Sequence, residues 1–190
     1  MAYFTKQEAR NSAQRSRVAM ESYSSKLESI VESQNYQRQF DVFLSHSIRD
    51  AELVLGVANI LEEMGKRVYI DWVVDKQLSR DSVTKETAET LRNRMNQSSR
   101  LLYLATDNAS SSKWMPWELG YFDGLKSGKV AILPLVDSEY SSFRGQEYLG
   151  LYPALDKERS IKKIFRLIIW GFRGFLKPCI NIYWSCYGIH

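Results

Sequence analysis

Histidine and cysteine are scarce in this chain. There are two of each, His46 and His190, Cys179 and Cys186. So few imidazoles and thiols cannot assemble a zinc centre in the usual way, and two cysteines near the end do not suggest a disulfide scaffold. No phosphate-cradling loop is present either. Gly124-Leu125-Lys126-Ser127-Gly128-Lys129 has the wrong spacing for a P-loop, and Val130 follows it. No Gly-x-Gly-x-x-Gly follows the first apolar run, and no Gly-x-Ser-x-Gly elbow exists, so His46 is the only histidine placed for a catalytic triad. A phosphoacceptor receiver would want an acidic pair after the first strand, where Ser45-His46 stands, and Thr106-Asp107 only weakly fits its later aspartate.

Blocks of one charge are also lacking. Lys and Arg number 26 against 22 Asp and Glu, a net charge of +4 with both signs interspersed, so nucleic acid binding is not implied. The start, Met1-Ala2-Tyr3-Phe4-Thr5-Lys6, has no apolar signal core. With the cysteine usage, this points to a reducing, cytoplasmic setting. The segment Phe165 to His190 is aromatic and apolar, but Arg166, Arg173 and Lys177 interrupt it. No membrane span is expected, and docking on the domain or at an oligomer interface is the favoured role.

What is present is an alternation of strand-like and helix-like runs. Residues 1–38 are polar with a weak apolar stripe and no Gly or Pro, which predicts a helical extension outside the main domain. Phe40–Ser45 reads as a buried strand, Ala51–Met64 as a helix stopped by Gly65, and Arg67–Ile70 as a second strand. A polar loop, Val73 to Ser82, precedes a helix over Val83–Met95. Leu101–Ala105 is a third strand, Glu118–Lys126 a helix, Val130–Val136 a fourth strand, and Ser138–Pro153 a long loop. Lys157–Lys177 carries a broad apolar stripe and reads as a last helix. The expected architecture is α/β: an open parallel sheet with helices on both faces, over 39–177, followed by an apolar tail, 178–190. Loops at the carboxyl ends of the strands, Ser45–Asp50, Asp71–Ser82 and Thr106–Glu118, should then converge.

The chemistry is concentrated in Ser111-Ser112-Lys113-Trp114-Met115-Pro116-Trp117-Glu118. Serines 110 to 112 suit an N-cap and Pro116 a first turn, which puts Glu118 near a helix start, where the macrodipole favours a carboxylate. If the helix starts at Ser112, Trp114 and Glu118 share a face; if Pro116 is its first residue, Trp114 sits just outside. A first-turn glutamate and flanking tryptophans are ordinarily structural, so the setting decides. The converging loops offer the Glu118 carboxylate at a helix start, the aromatics Trp72 and Trp114, and the hydroxyl or charged groups Ser45, Ser47, Arg49 and Asp71. Glycosidic cleavage ordinarily takes two carboxylates, one protonating the leaving oxygen. The nicotinamide of NAD is already cationic and leaves neutral, so one anion suffices to stabilise an oxocarbenium-like transition state. Aromatic faces can stack on nicotinamide or adenine.

Phe40-Asp41-Val42-Phe43-Leu44-Ser45-His46-Ser47, Val68-Tyr69-Ile70-Asp71, Leu101-Leu102-Tyr103-Leu104 and Trp114-x-x-x-Glu118 together resemble a bacterial TIR (Toll/interleukin-1 receptor) domain over roughly Phe40 to Pro153. The resemblance implies the TIR variant of the flavodoxin-like fold. It implies NAD cleavage with Glu118 as the catalytic residue and Trp114 in the same pocket. Asp71, with Trp72 after it, falls at the end of the second strand, and Ser45, His46, Ser47 and Arg49 fall in the first pocket loop. NAD is then the substrate, and no cofactor or metal is expected. It also implies self-association through the loop 73–82, which lacks a glycine common there and has Ser79-Arg80-Asp81 instead. Bacterial members often serve anti-phage defence, including systems called Thoeris, where they hydrolyse or cyclise NAD into a signal for a separate effector. A non-enzymatic TIR scaffold that binds other TIR domains is the alternative reading.

Overall fold

The computed structural model describes residues 2–16, 22–34, 39–71 and 85–157, which belong to one compact unit, Met1–Lys157. Its frame is a parallel sheet of five strands: β1 (Phe4–Thr5), β2 (Phe40–Ser45), β3 (Val68–Ile70), β4 (Ser98–Ala105) and β5 (Val130–Val136). The spatial order is β1-β5-β4-β2-β3. Helices α1 (Lys6–Ser16) and α2 (Tyr23–Gln34) precede β2, α3 (Ala51–Glu63) joins β2 to β3, α4 (Lys85–Asn96) precedes β4, and α5 (Trp114–Leu125) joins β4 to β5.

Strand periodicity sorts the core into two faces. Phe43, Tyr69, Leu101, Tyr103 and Ile132 pack with Leu91 and Met95 of α4 and Met115, Leu119 and Phe122 of α5. The alternate residues, Val42, Leu44, Ile70, Leu102 and Leu104, are equally buried. They point to the opposite face, which α3 crosses between β2 and β3. Gly65 ends α3 with a positive φ of 73°, a conformation glycine adopts without steric cost.

Each central strand and helix lies close to its expected place, with two informative displacements. β4 starts at Ser98, earlier than the apolar pattern shows, because its first residues are polar: Ser98 Oγ donates to the Arg94 carbonyl at 2.8 Å. Lys126 Nζ donates to the carbonyls of Met95, Asn96 and Ser98 at 3.2, 2.8 and 2.5 Å. α5 starts at Trp114 rather than Glu118. The Ser112 hydroxyl accepts from the Met115 N–H at 3.2 Å, and Pro116 falls in the first turn, where its missing N–H is not needed. Trp114 and Glu118 therefore lie one turn apart on one helical face. The expected final helix 157–177, beyond Lys157, and the tail 178–190 lie outside the described residues.

The N-terminal segment is helical, as its composition suggests, and it is also built into the sheet. Phe4 and Thr5 pair in parallel with Leu135 and Val136 of β5. β1 thus takes the outermost place beside β5, blunting an edge that would otherwise present unpaired backbone. Ile132, nearer the start of β5, bridges to Ala154 on the same side. A reciprocal cap then starts α1: the Thr5 hydroxyl accepts from the Glu8 N–H at 3.1 Å and the Glu8 carboxylate accepts from the Thr5 N–H at 2.9 Å. The Thr-x-x-Glu spacing was available in the sequence. α1 lies against α3 through small residues, Ala9, Ser12 and Ala13, all buried. A Cβ at Gly56 of α3 would come within 1.8 Å of the Ala9 carbonyl oxygen. Asn59 Nδ2 adds a 2.7 Å bond to Ser16 Oγ.

Candidate functional site

β2 is the point where the strand order reverses. The chain steps from β2 to β3 on one side and then crosses back to β4 on the other. In open α/β sheets the crevice at the carboxyl ends of such a pair is the favoured ligand site. Here the position of such a crevice falls between Ser45, which ends β2, and Ala105, which ends β4.

Strand parity explains what projects into it. Ser45 and Tyr103 are register partners across β2 and β4. Both fall on the face that α5 covers, so the second turn of α5 brings Glu118 onto them. Ser45 Oγ donates to Glu118 Oε2 at 2.5 Å, with the glutamate only 3% exposed. Tyr103 is fully buried, and its hydroxyl donates to Gln146 Oε1 at 3.2 Å, an acceptor it shares with Tyr148 at 2.8 Å. Burial first, then the neighbouring Tyr148 and the negative charge of Glu118, push the Tyr103 phenol far above its ordinary value. It is neutral throughout the physiological range. The pair Ser45–Glu118 is thus a carboxylate with a preset hydrogen bond, next to a phenol that cannot add a second negative charge.

The remaining predicted residues are spread over more than one environment. Trp114 is 8% exposed and meets Trp117 edge-on at 5.4 Å, so it belongs largely to the core beneath the crevice. His46 and Ser47 are buried in the first loop. His46 Nδ1 lies 2.7 Å from the Leu44 carbonyl, which can only accept, so this nitrogen carries a proton. The Ser47 hydroxyl accepts from the Arg49 N–H at 3.4 Å and starts the 3₁₀ turn Ile48–Asp50. Arg49 itself is exposed. It lines a cleft of about 220 Å³ together with Lys6, Arg10, Asp107 and Asn108, whose lining does not include Glu118. Asp71 follows the end of β3 and is half-buried. Trp72 and the loop 73–82 lie outside the described residues.

Residue typing missed the group that joins the first of these loops to the third. Asp50, 5% exposed, accepts from Thr106 Oγ1 at 2.5 Å and from Asn108 Nδ2 at 2.6 Å. One buried carboxylate therefore ties the loop after β2 to the loop after β4. Replacing Asp50 with Ala leaves both donors unanswered in a largely buried place. The expected cost is about 1–3 kcal/mol of stability, read as a lower unfolding midpoint in urea with an unchanged slope. An unchanged midpoint would show that the bridge contributes nothing.

A larger cavity, about 490 Å³, opens at the carboxyl ends of β4 and β5. Lys6, Asp107, Asp137, Ser141, Arg144 and Gln146 are among its lining residues, and Glu118 is not. Size alone would favour this cavity, but the buried carboxylate and the reversal of strand order both favour the crevice at Ser45. Among the described residues no cluster of His, Cys, Asp or Glu could hold a metal ion, and no helix is long and apolar enough to cross a membrane.

The sequence model of the TIR domain matches residues 42–165. This chain belongs to the TIR domain family. Over 126 residues it is 53% identical to a Bacillus cereus (strain MSX-D12) protein named "Probable 3' cyclic ADP-D-ribose synthase ThsB'", covering 65% of either chain. Over 94 residues it is 33% identical to TIR2 of Cytobacillus dafuensis, which carries a cyclic ADP-D-ribose synthase name of the same provisional kind; the match covers 48% of this chain and 25% of that protein. The matches thus span under two thirds of the first relative and a quarter of the second. Among solved structures, the TIR domain of the Toll-related receptor TRR-2 from Hydra magnipapillata aligns at 16% identity and a TM-score of 0.46, over 71% of this chain and 99% of that one. In this TIR domain the family match begins at Val42, so β1, α1 and α2 all lie ahead of it.

Proposed function

We propose that this TIR domain cleaves NAD at the bond between nicotinamide and ribose, with Glu118 as the catalytic carboxylate. The observation that carries the reading is the buried Ser45–Glu118 pair at the point where strand order reverses. The bond between the ribose C1 and the nicotinamide nitrogen breaks, and nicotinamide takes the electron pair and leaves neutral. The anionic side chain of Glu118 stabilises the cationic sugar carbon, in a site where charge interactions are strong. Ser45 holds the carboxylate in one orientation. Water then captures C1 and gives ADP-ribose, or a hydroxyl or ring nitrogen of the same molecule captures it and gives a cyclic isomer; capture by water or a hydroxyl releases one proton, and capture by a ring nitrogen leaves the positive charge on the ring. The relatives' names support the cyclic outcome and single out the 3′ cyclic isomer as the first product to seek. In a cytoplasmic defence setting, such a product would serve as the signal to a separate effector.

The same reading includes self-association through the loop 73–82, which carries Val73, Val74 and Leu78 beside Asp75, Lys76, Arg80 and Asp81. Head-to-tail contacts of this kind are heterologous and can extend into filaments. One experiment tests both parts: incubate the purified protein with NAD over a range of protein concentrations and resolve the products by mass spectrometry. Nicotinamide release with a steep rise in specific activity is expected. Intact NAD at every concentration would overturn the enzymatic reading in favour of a scaffold. A flat activity line with a monomeric mass would remove self-association alone.

A further inference from the structure

Lys6 stands where the N-terminal segment meets the active face of the sheet. It directly follows β1, so the pairing of Phe4 and Thr5 with β5 fixes its backbone at the carboxyl end of the sheet. Its ammonium donates to Asp107 Oδ2 at 2.6 Å and lies 3.1 Å from Asp137 Oδ1. One cation thereby joins the loop after β4 to the loop after β5. It also lines both clefts described above, as part of the wall between them. The contacts continue inward. The neighbours of Asp107 on either side, Thr106 and Asn108, are the donors that hold Asp50. The Asp50 N–H in turn bonds the Ser47 carbonyl at 3.1 Å. Ser47 is two residues from Ser45, the donor to Glu118.

We propose that Lys6 is a positioning residue: through Asp107 it holds the loop 106–108, and through Asp50 the loop 45–50, in the register that aims Ser45 at Glu118. The proposal rests on the NAD-cleaving reading for its kinetic part only. Physical asymmetry in the ion pair separates positioning from plain stabilisation. The Lys6 side chain is 12% exposed while those of Asp107 and Asp137 are 86% and 84% exposed. Pairs whose acidic partners sit in solvent add little to stability, yet this one fixes where a loop lies. The hydrogen bond to Asp107 is the main cause that raises the Lys6 pKa, so the cation persists at neutral pH.

The test uses the full chain. Lys6→Met keeps the aliphatic stem and removes the charge. The expected result is a kcat about tenfold lower, since small misplacements of a reacting group are costly, with KM for NAD and the melting temperature nearly unchanged. Amide hydrogen exchange should speed up in 45–50 and 106–109 and stay unchanged in α3. Lys6→Arg should recover most of the rate. Asp107→Asn should match Lys6→Met, and the double variant should be no slower than either single one. Arg15→Met, on the same helix as Lys6, removes an exposed ion pair to Glu63 of α3 and serves as the control with parental rate. Multiplicative losses in the double variant, an unchanged kcat, or unaltered exchange in 45–50 would each overturn the proposal. If the parent protein leaves NAD intact, the NAD reading fails, and the exchange response still decides whether Lys6 holds the loop.

Discussion

Glu118→Gln is expected to lower NAD turnover by at least about a hundredfold to a thousandfold, the loss seen when one preorganised electrostatic partner of a transition state is removed. The fold should survive the change. Glutamine has the same shape, and its side-chain oxygen still accepts the hydrogen bond that Ser45 Oγ makes at 2.5 Å. What disappears is the negative charge in a position only 3% exposed, where solvent cannot replace it. KM should move little, because the charge acts mainly on the cationic sugar of the transition state. Circular dichroism and the melting temperature would be measured beside turnover. A folded Glu118→Gln protein with near-parental kcat would remove Glu118 from the mechanism.

The second large effect concerns stability, and it reverses a common rule. Alanine in place of glycine inside a helix ordinarily stabilises by about 1 kcal/mol. Gly124 in α5 should follow that rule, since nothing lies within 4 Å of a Cβ built there. Gly56 in α3 should break it. Its Cβ would sit 1.8 Å from the Ala9 carbonyl oxygen and 2.5 Å from the Ala9 carbonyl carbon, both backbone atoms with no rotamer to change. Either α1 lifts off α3 or α3 shifts within the core. Gly56→Ala is therefore expected to destabilise by about 3 kcal/mol, the upper end for overpacking. In a chain of this size that corresponds to a melting temperature lower by roughly 6–12 °C. Denaturation of Gly56→Ala and Gly124→Ala side by side checks the sign; a stabilised Gly56→Ala protein would mean that α1 is not seated as described.

These two residues also show what could be read from the sequence and what could not. Glu118 stood out by elimination, as the one carboxylate after a buried strand and a serine-rich turn, and its neighbour Ser45 by ending a strand. Local periodicity suffices to place both; the catalytic role of Glu118 came from the family resemblance. Asp50, Lys6 and Gly56 lacked any such signal. Asp50 looked like an ordinary turn residue because its partners, Thr106 and Asn108, are more than fifty positions away. Gly56 carried no mark inside the helical run Ala51–Met64, because the segment packed against it lies some forty-seven positions away. β1 was missed because two residues carry no detectable alternation, and their pairing with β5 is decided only by the finished sheet. The residues 1–38 therefore read as helical and detached, when the helices were legible and the attachment was tertiary.

The place of β1 at the edge of the sheet also orders events during synthesis. Phe4 and Thr5 leave the ribosome well before their partners Leu135 and Val136, which lie roughly 130 residues further on. At ordinary translation speeds this is a delay on the order of 10 s, far longer than a helix or a hairpin takes to form. During that interval β2, β3 and β4 can already pair with one another, while the first strand has no edge to join. This early-made strand thus waits for the last one, β5, and Lys6 reaches Asp107 and Asp137 only as the sheet is completed.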